Sequence, residues 1–410
     1  MCIARFRICW EIVCTSGCDS MSGSEWKNRE ADRRGKTPRA AYVHVPFCRH
    51  RCGYCNFTLV AGRDDLMPEY VRAIELELAE LGAPREVDTV FLGGGTPTHL
   101  PPAMLTNLLQ VVGDRFELAT GGEFSVEANP LDVTPDRIDR LRAAGVTRIS
   151  LGAQSFDTDK LRVLERDHDA VAIRSAVDLA RSAGFHVAID LIFGVPGESP
   201  EMWRRDLEDA IALQPDHLST YGLTWEKGTS FWSQRQRGIL LPVPEDQEAD
   251  AYELAIDYLS SRGFEHYEVS NFARPGCRCR HNEAYWLGDP FWAAGPGAAR
   301  FVDGTRSINH RSVTTYLKRV LAGESPIAES EHLSPEDAAR ERLVFGLRRL
   351  EGVDRNRFRM QTGFAVESLG AEALERFLEQ GFLAWHDSRL ALTRRGLLVS
   401  DSIWAHLLRT

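Results

Sequence analysis

Long apolar runs are missing from this 410-residue chain. None approaches the ~20 residues of a membrane-spanning helix. An excess of positive charge is missing too: 59 acidic residues outnumber 49 basic ones, for a net charge of -10. That argues against a protein built to grip nucleic acid or anionic lipid. The opening is also expected to make a poor secretory signal. The opening MCIARFRICWEIVCTSGCDS has one apolar run, and Glu11 interrupts it. Nor do the nine cysteines make a dense disulfide framework. Four (Cys2, Cys9, Cys14 and Cys18) fall in this leader, three at Cys48, Cys52 and Cys55, and two at Cys277 and Cys279. They read as reduced thiols of a cytoplasmic protein. After Met21, a candidate start, the chain turns polar, and residues 1–39 are expected to be a poorly ordered leader.

One more absence is local. The stretch HVPFCRHRCGYCNF, from His44, sets three thiols within eight residues and then gives Asn56 and Phe57 instead of a fourth. Thiolates so close repel, and a metal is the usual reason to gather them. Zinc would need a fourth ligand, for which His44 and His50 are the nearby candidates. An iron–sulfur cubane normally takes four thiolates. Held by three, it leaves one iron open, and the vacant position becomes a binding site.

What is present is a rhythm of short β-branched runs and longer amphipathic ones. The strand-like runs are Ala41–Val45, Asp88–Leu92, Glu123–Ala128, Arg148–Gly152, His186–Phe193 and His217–Leu223. Between them PEYVRAIELELAEL spaces Val71, Ile74, Leu78 and Leu81 as a helix would. PDRIDRLRAAG and AIRSAVDLARSAG each end on a glycine, Gly145 and Gly184, that suits a helix stop. Six such units predict an α/β fold with a parallel sheet, either an open or partial β/α barrel or a doubly wound sheet. In both, ligands bind at the carboxyl ends of the strands. The loops GGGTPT, EANP, GAQSF and FGVPGE all fall there. The FWAAGPGAAR segment reads as small and flexible. From about Ser312 the pattern is mainly helical, closing with a helix–hairpin–helix of winged-helix outline.

The C-x-x-x-C-x-x-C motif directly after the first strand resembles that of the radical S-adenosylmethionine (radical SAM) superfamily, and the likeness extends over residues 40–410. GGGTP (Gly93–Pro97) resembles the loop that approaches the methionine amino group. VEANP, LGAQSFD, LERDH and IDLIFGVPGE match further loops of its HemN/HemW branch. The resemblance implies a partial (β/α)6 barrel with a C-terminal helical, winged-helix-like module. It divides the chain into a core at 40–270, a connecting region at 271–311 and the module at 312–410. It implies a [4Fe-4S] cluster on Cys48, Cys52 and Cys55. It also implies SAM contacts from Tyr42, Tyr54, Gly94, Gly95, Thr96, Glu127, Gln154, Arg166 and Asp190.

Within the branch, HemN-type oxidases carry a further cysteine where this chain has Phe57. CRHNEAYW (Cys279–Trp286) and GPGAAR match HemW-type signatures. The HemW resemblance implies a heme chaperone that passes heme to respiratory hemoproteins, touching membrane-bound acceptors transiently. His281 is then the heme-ligand candidate and Cys279 the next. The alternatives are an oxygen-independent coproporphyrinogen III oxidase or another radical SAM enzyme, and a zinc-stabilised binding module.

Overall fold

The computed structural model describes residues 37–408. Strand β1 (Ala40–Val45) leads into a small parallel pair, β2 (Phe47–Cys48) and β3 (Val60–Ala61), which brackets the cysteine loop. Then β4 (Arg85–Gly94), β5 (Phe116–Ala128), β6 (Arg148–Gln154), β7 (His186–Phe193) and β8 (His217–Gly222) lie beside β1 in chain order, each parallel to its neighbour. A doubly wound sheet reverses its strand order part-way. Among β1 and β4 to β8 there is no such reversal, so of the two architectures expected from the sequence it is the open β/α barrel.

Both edges are extended. Beyond β8 come β9 (Glu265–Glu268) and β10 (Asn271–Ala273), with β10 innermost and antiparallel. Beyond β1 comes β11 (Phe291–Ala294), parallel, followed by the antiparallel strands β12 (Ala299–Val302), β13 (Thr305–Asn309) and β14 (Ile327–His332). The twelve-stranded sheet runs from β14 to β9, and no pairing among the described residues closes it.

Strand alternation divides the two faces. Ala41, Val43 and Val45 of β1 and Phe124 and Val126 of β5 join the main core under the helices. Tyr42, His44, Glu123, Ser125 and Glu127 therefore point the other way, into the barrel. The helices Met67–Ala79, Pro102–Gly113, Pro135–Ala143, Ala170–Ser182 and Pro200–Ala212 connect successive strands. Those ending near Gly145 and Gly184 stop as expected, with φ of 79° and 86°, values that favour glycine.

Three stretches differ from the sequence reading. The GPGAAR segment is not loose. Gly295 N donates to Glu77 at 2.9 Å, and strands β11 and β12 flank the turn. The part after Ser312 contains β14 as well as helices, because its residues pair along β13. At the end of the leader, Arg39 donates to Glu86 (2.6 Å) and Asp88 (2.8 Å). Residues 1–36 of the leader, with Met21 and its cysteines, lie outside the described residues. The C-terminal helices, among them Pro335–Arg348 and Ala371–Glu379, surround a three-stranded sheet of β15 (Val353–Asp354), β16 (Leu383–His386) and β17 (Arg389–Leu392). Among the described residues no helix is long and apolar enough to cross a membrane.

Candidate metal and cofactor site

The cysteine loop leaves the carboxyl end of β1. Cys48 closes β2, and the turn beyond it is fixed by Cys55 N donating to Cys52 O at 3.0 Å. Arg51 stiffens the loop from outside through the carbonyls of Cys55 and Leu59 (3.2 and 2.7 Å). The Cys48 thiol meets Thr96 Oγ1 at 3.4 Å. Cys52 Sγ has His50 Nε2 at 3.6 Å and accepts from Arg166 Nη1 at 3.4 Å.

These surroundings separate the thiols. Burial holds Cys48 up at about 12 and Cys55 at about 11. Burial also pushes Cys52 upward, but the His50 hydrogen bond and the Arg166 guanidinium outweigh it, and its pKa falls below the ordinary thiol value. Cys52 is thus the thiol that ionises first, and the thiolate is the metal-binding form. His44 is no fourth ligand here: Tyr42 Oη lies 2.9 Å from its Nδ1 and Thr58 O 2.6 Å from its Nε2. His50 Nε2 reaches Glu165 O at 2.5 Å.

Next to the loop, β4 ends in a glycine cradle. Gly94 has φ 110°, and a Cβ there would fall 2.3 Å from the His44 ring. At Gly95 a Cβ would sit 2.7 Å from Phe47 O. Bare backbone is therefore required at both positions. Gly94 N donates to Glu127 Oε2 at 2.7 Å. Glu127 is fully buried, which raises its pKa to about 8 despite that bond. Asp190, on the inner face of β7, accepts from Ser150 at 3.2 Å and is raised to about 7 by burial. Its Oδ1 is buried with no partner, as is Arg166 Nε. Gln154 adopts φ 66° at the end of β6, and Arg166 Nη2 donates to Gly152 O at 3.0 Å. Tyr54 meets Phe231 edge-on, with ring centroids 6.0 Å apart.

The structure thus gathers Cys48, Cys52, Cys55, Tyr54, Gly94, Gly95, Thr96, Gln154 and Arg166 at the carboxyl end of the barrel, with Glu127 and Asp190 on its inner face. Tyr42 lies deeper, stacked on Phe91 at 6.1 Å.

His281 and Cys279 are elsewhere. His281 Nδ1 meets Thr89 Oγ1 at 2.9 Å. Thr89 pairs with Ala40 and Gly94 with Val45, so the two ends lie about 16 Å apart along β4. His281 Nε2 meets Tyr285 Oη at 2.8 Å, and Glu123 accepts from the His281 backbone N–H at 3.2 Å. Burial lowers the ring pKa to about 3, which keeps the imidazole neutral at pH 7. Cys279 is buried and caps the helix Arg280–Trp286, its sulfur accepting from Asn282 N at 3.2 Å.

Known proteins share this layout. The radical SAM superfamily model matches residues 42–210 and the HemN C-terminal domain model residues 333–399. A Bacillus subtilis protein named heme chaperone HemW is 32% identical over 376 residues, covering 90% of this chain and 99% of its own. A Mycobacterium tuberculosis protein of the same name is 39% identical over 382 residues, 90% and 95% of the two chains. The chain belongs to the HemW family of radical SAM proteins. A further relative of the HemW family chain, from Danio rerio, is radical S-adenosyl methionine domain-containing protein 1, mitochondrial (33% identity; 88% of this chain, 85% of that one). The solved coproporphyrinogen III oxidase (HemN) of Escherichia coli superposes with a TM-score of 0.80 over 95% of this chain and 94% of its own. At 24% identity that likeness is one of fold.

The superfamily carries a [4Fe-4S] cluster and SAM, and the residues present fit both. Three thiols share one loop, the glycines leave backbone open, and a buried carboxylate oxygen on Asp190 lacks a partner. Sequence reasoning missed Ser150, the donor to Asp190. Its signal was the alternation within RISLG, which puts Ser150 on the inner face. It also missed Glu77, whose helical position looks like an ordinary exposed one until Asn309 and Tyr316 are folded onto it.

Proposed function

We propose that this protein is a heme chaperone. The observation that carries the reading is the extent of the match: relatives named heme chaperone HemW align along 95–99% of their own length. Phe57 supports it, standing where the oxidases resembled by this chain have a further cysteine. In this reading Cys48, Cys52 and Cys55 hold the cluster. The Gly94–Thr96 cradle, Glu127, Gln154, Arg166, Asp190, Tyr42 and Tyr54 would hold SAM. When bound, the cluster supplies an iron with an open position for the amino and carboxylate groups of SAM. The chain's own part is to bind and orient. Buried Glu127 and Asp190 face a cationic cosubstrate, and Arg166 and His50 bias Cys52 toward thiolate.

Heme is the cargo and respiratory hemoproteins its destination, reached in the cytoplasm or at the membrane surface. His281 is the proposed iron ligand, with Cys279 the next. Its neutral ring has the protonation state that ligation needs. To reach iron, Nε2 must release Tyr285 or Nδ1 must release Thr89, so loading heme entails exposing a ring that is now buried.

The test is anaerobic reconstitution followed by parallel assays. Heme titration should give a Soret band, and His281→Ala should weaken or shift it while leaving the cluster absorbance intact. Coproporphyrinogen III, given with SAM and a reductant, should keep its carboxylates. Release of two carboxylates per substrate would replace the chaperone with an oxidase.

A further inference from the structure

Two of the loops at the carboxyl end of the barrel are joined below the surface by a group that no site assignment above uses. Lys160, in the short helix after β6, is 2% exposed. Its ammonium pairs with Glu198 and, at 2.8 Å, with Asp206, and it lies 4.9 Å from the centre of the Trp203 ring. Both carboxylates are themselves occupied with backbone. Asp206 accepts from Phe156 N at 2.6 Å and from Ser155 Oγ at 2.8 and 2.9 Å. Glu198 accepts from Gly194 N at 2.5 Å and Val195 N at 3.2 Å.

One cation therefore clamps the start of the loop after β6 to the loop after β7. The first begins beside Gln154, held at φ 66°, a conformation that non-glycine residues keep only when their surroundings impose it. The second begins at Gly194, at φ 74°. A pair of carboxylates this deeply buried is costly without the cation between them. Such an arrangement fixes geometry more than it adds stability.

We propose that Lys160 is a positioning residue for SAM, holding the Gln154–Phe156 and Gly194–Glu198 loops at the spacing that the cosubstrate requires. The inference rests on the reading that SAM binds at this end of the barrel. Lys160 touches neither cluster nor SAM and acts through the two carboxylates.

The experiment is calorimetric titration of SAM into the reconstituted full chain, for wild type and Lys160→Met, from about pH 6 to about pH 9. The variant should keep its cluster absorbance and lose roughly tenfold or more in SAM affinity at the alkaline end. The deficit relative to wild type should narrow as pH falls. Glu198 and Asp206 are the two charged groups facing Lys160, and protonation of Glu198, whose carboxyl burial already pushes upward, then removes the repulsion that the missing ammonium leaves behind. A purely structural ion pair would lower the melting temperature without this pH-dependent change in affinity. Should Lys160→Met fail to fold, Glu198→Gln decides. It keeps the Lys160–Asp206 pair and is expected to weaken SAM binding with the cluster retained. Wild-type affinity at every pH in the folded variant, Lys160→Met or Glu198→Gln, overturns the proposal. If the wild-type protein itself takes up no SAM, the parent reading fails, and this one with it.

Discussion

Three thiols within eight residues do not behave alike. Cys52 is drawn toward thiolate by His50 and Arg166, while Cys48 and Cys55 are pushed up by burial. Single replacement of Cys48, Cys52 or Cys55 by Ala should abolish the cluster absorbance, since two thiolates hold a cubane poorly. Replacement of Cys2, Cys9, Cys14 or Cys18 should not, and absorption spectra of the reconstituted variants check both. Glu127→Ala should leave the cluster and weaken SAM by about 1–3 kcal/mol, measured by calorimetry. Most of these residues were legible in the sequence because their chemistry is local: cysteine spacing and glycines after a strand. Two features were not. The motif likeness that singled out His281 contains no information about depth, and only the folded chain shows both its ring nitrogens engaged. Lys160 reads in sequence as one more surface lysine, because its partners lie 38 and 46 positions away.

At the scale of elements, the β/α rhythm was plain because β-branched runs fill the six parallel strands and Gly145 and Gly184 end two of the helices. The ribbon of β11 to β14 was obscure, since FWAAGPGAAR has little β-branching and its order comes from a distant carboxylate. Glu77, on the helix Met67–Ala79, accepts from Gly295 N (2.9 Å), Asn309 Nδ2 (2.6 Å) and Tyr316 Oη (2.6 Å). Removing it strands three buried donors. Glu77→Ala should therefore destabilise the protein by about 3 kcal/mol or more, read from urea unfolding. The GPG turn in turn supports the cysteine loop: a Cβ on Gly297 would fall 2.5 Å from Thr58 Oγ1, and Gly297 holds φ 73°. Gly297→Ala should lower iron content per chain after reconstitution, through displacement of Thr58 and the loop before it.

For the molecule as a whole, the inside of the barrel sets a pH dependence. Burial raises Glu123 and Asp190 to about 7 and Glu127 to about 8, from ordinary values of 4.5 for the glutamates and 3.8 for the aspartate. Each binds its proton more tightly folded than unfolded. Their contribution to stability is complete below the unfolded values and is lost as pH rises through the folded ones. The buried His44 and His281 are shifted the opposite way, to about 4 and about 3. Their penalty is confined to pH below their ordinary 6.5. Between about pH 6.5 and about pH 8 the carboxyls and His50, which its Cys52 hydrogen bond raises to about 9, act in the same direction, and the ligand-free protein should lose stability across that window in urea titrations. SAM, a sulfonium cation, favours the ionised carboxylates. Its binding should release protons and tighten as pH rises, which weakly buffered calorimetry would detect.

The neighbour-by-neighbour order of the parallel strands also says something about how the protein is made. As synthesis proceeds, each new strand from β4 to β8 can dock on the one before it, without waiting for later sequence. The cysteine loop is the exception. It is among the first segments to emerge, yet the surface beneath it, Gly295 to Gly297 locked by Asn309 and Tyr316, is translated more than 200 residues later. Stable iron uptake is therefore expected only once the segment through Tyr316 has been made. In a ribosome-bound chain arrested before Asn309, Cys48, Cys52 and Cys55 should be alkylated faster than in one released past Tyr316, with the largest difference at Cys52, the buried thiol of the three. The late half of the gene thus controls when Cys48, Cys52 and Cys55 become a metal site.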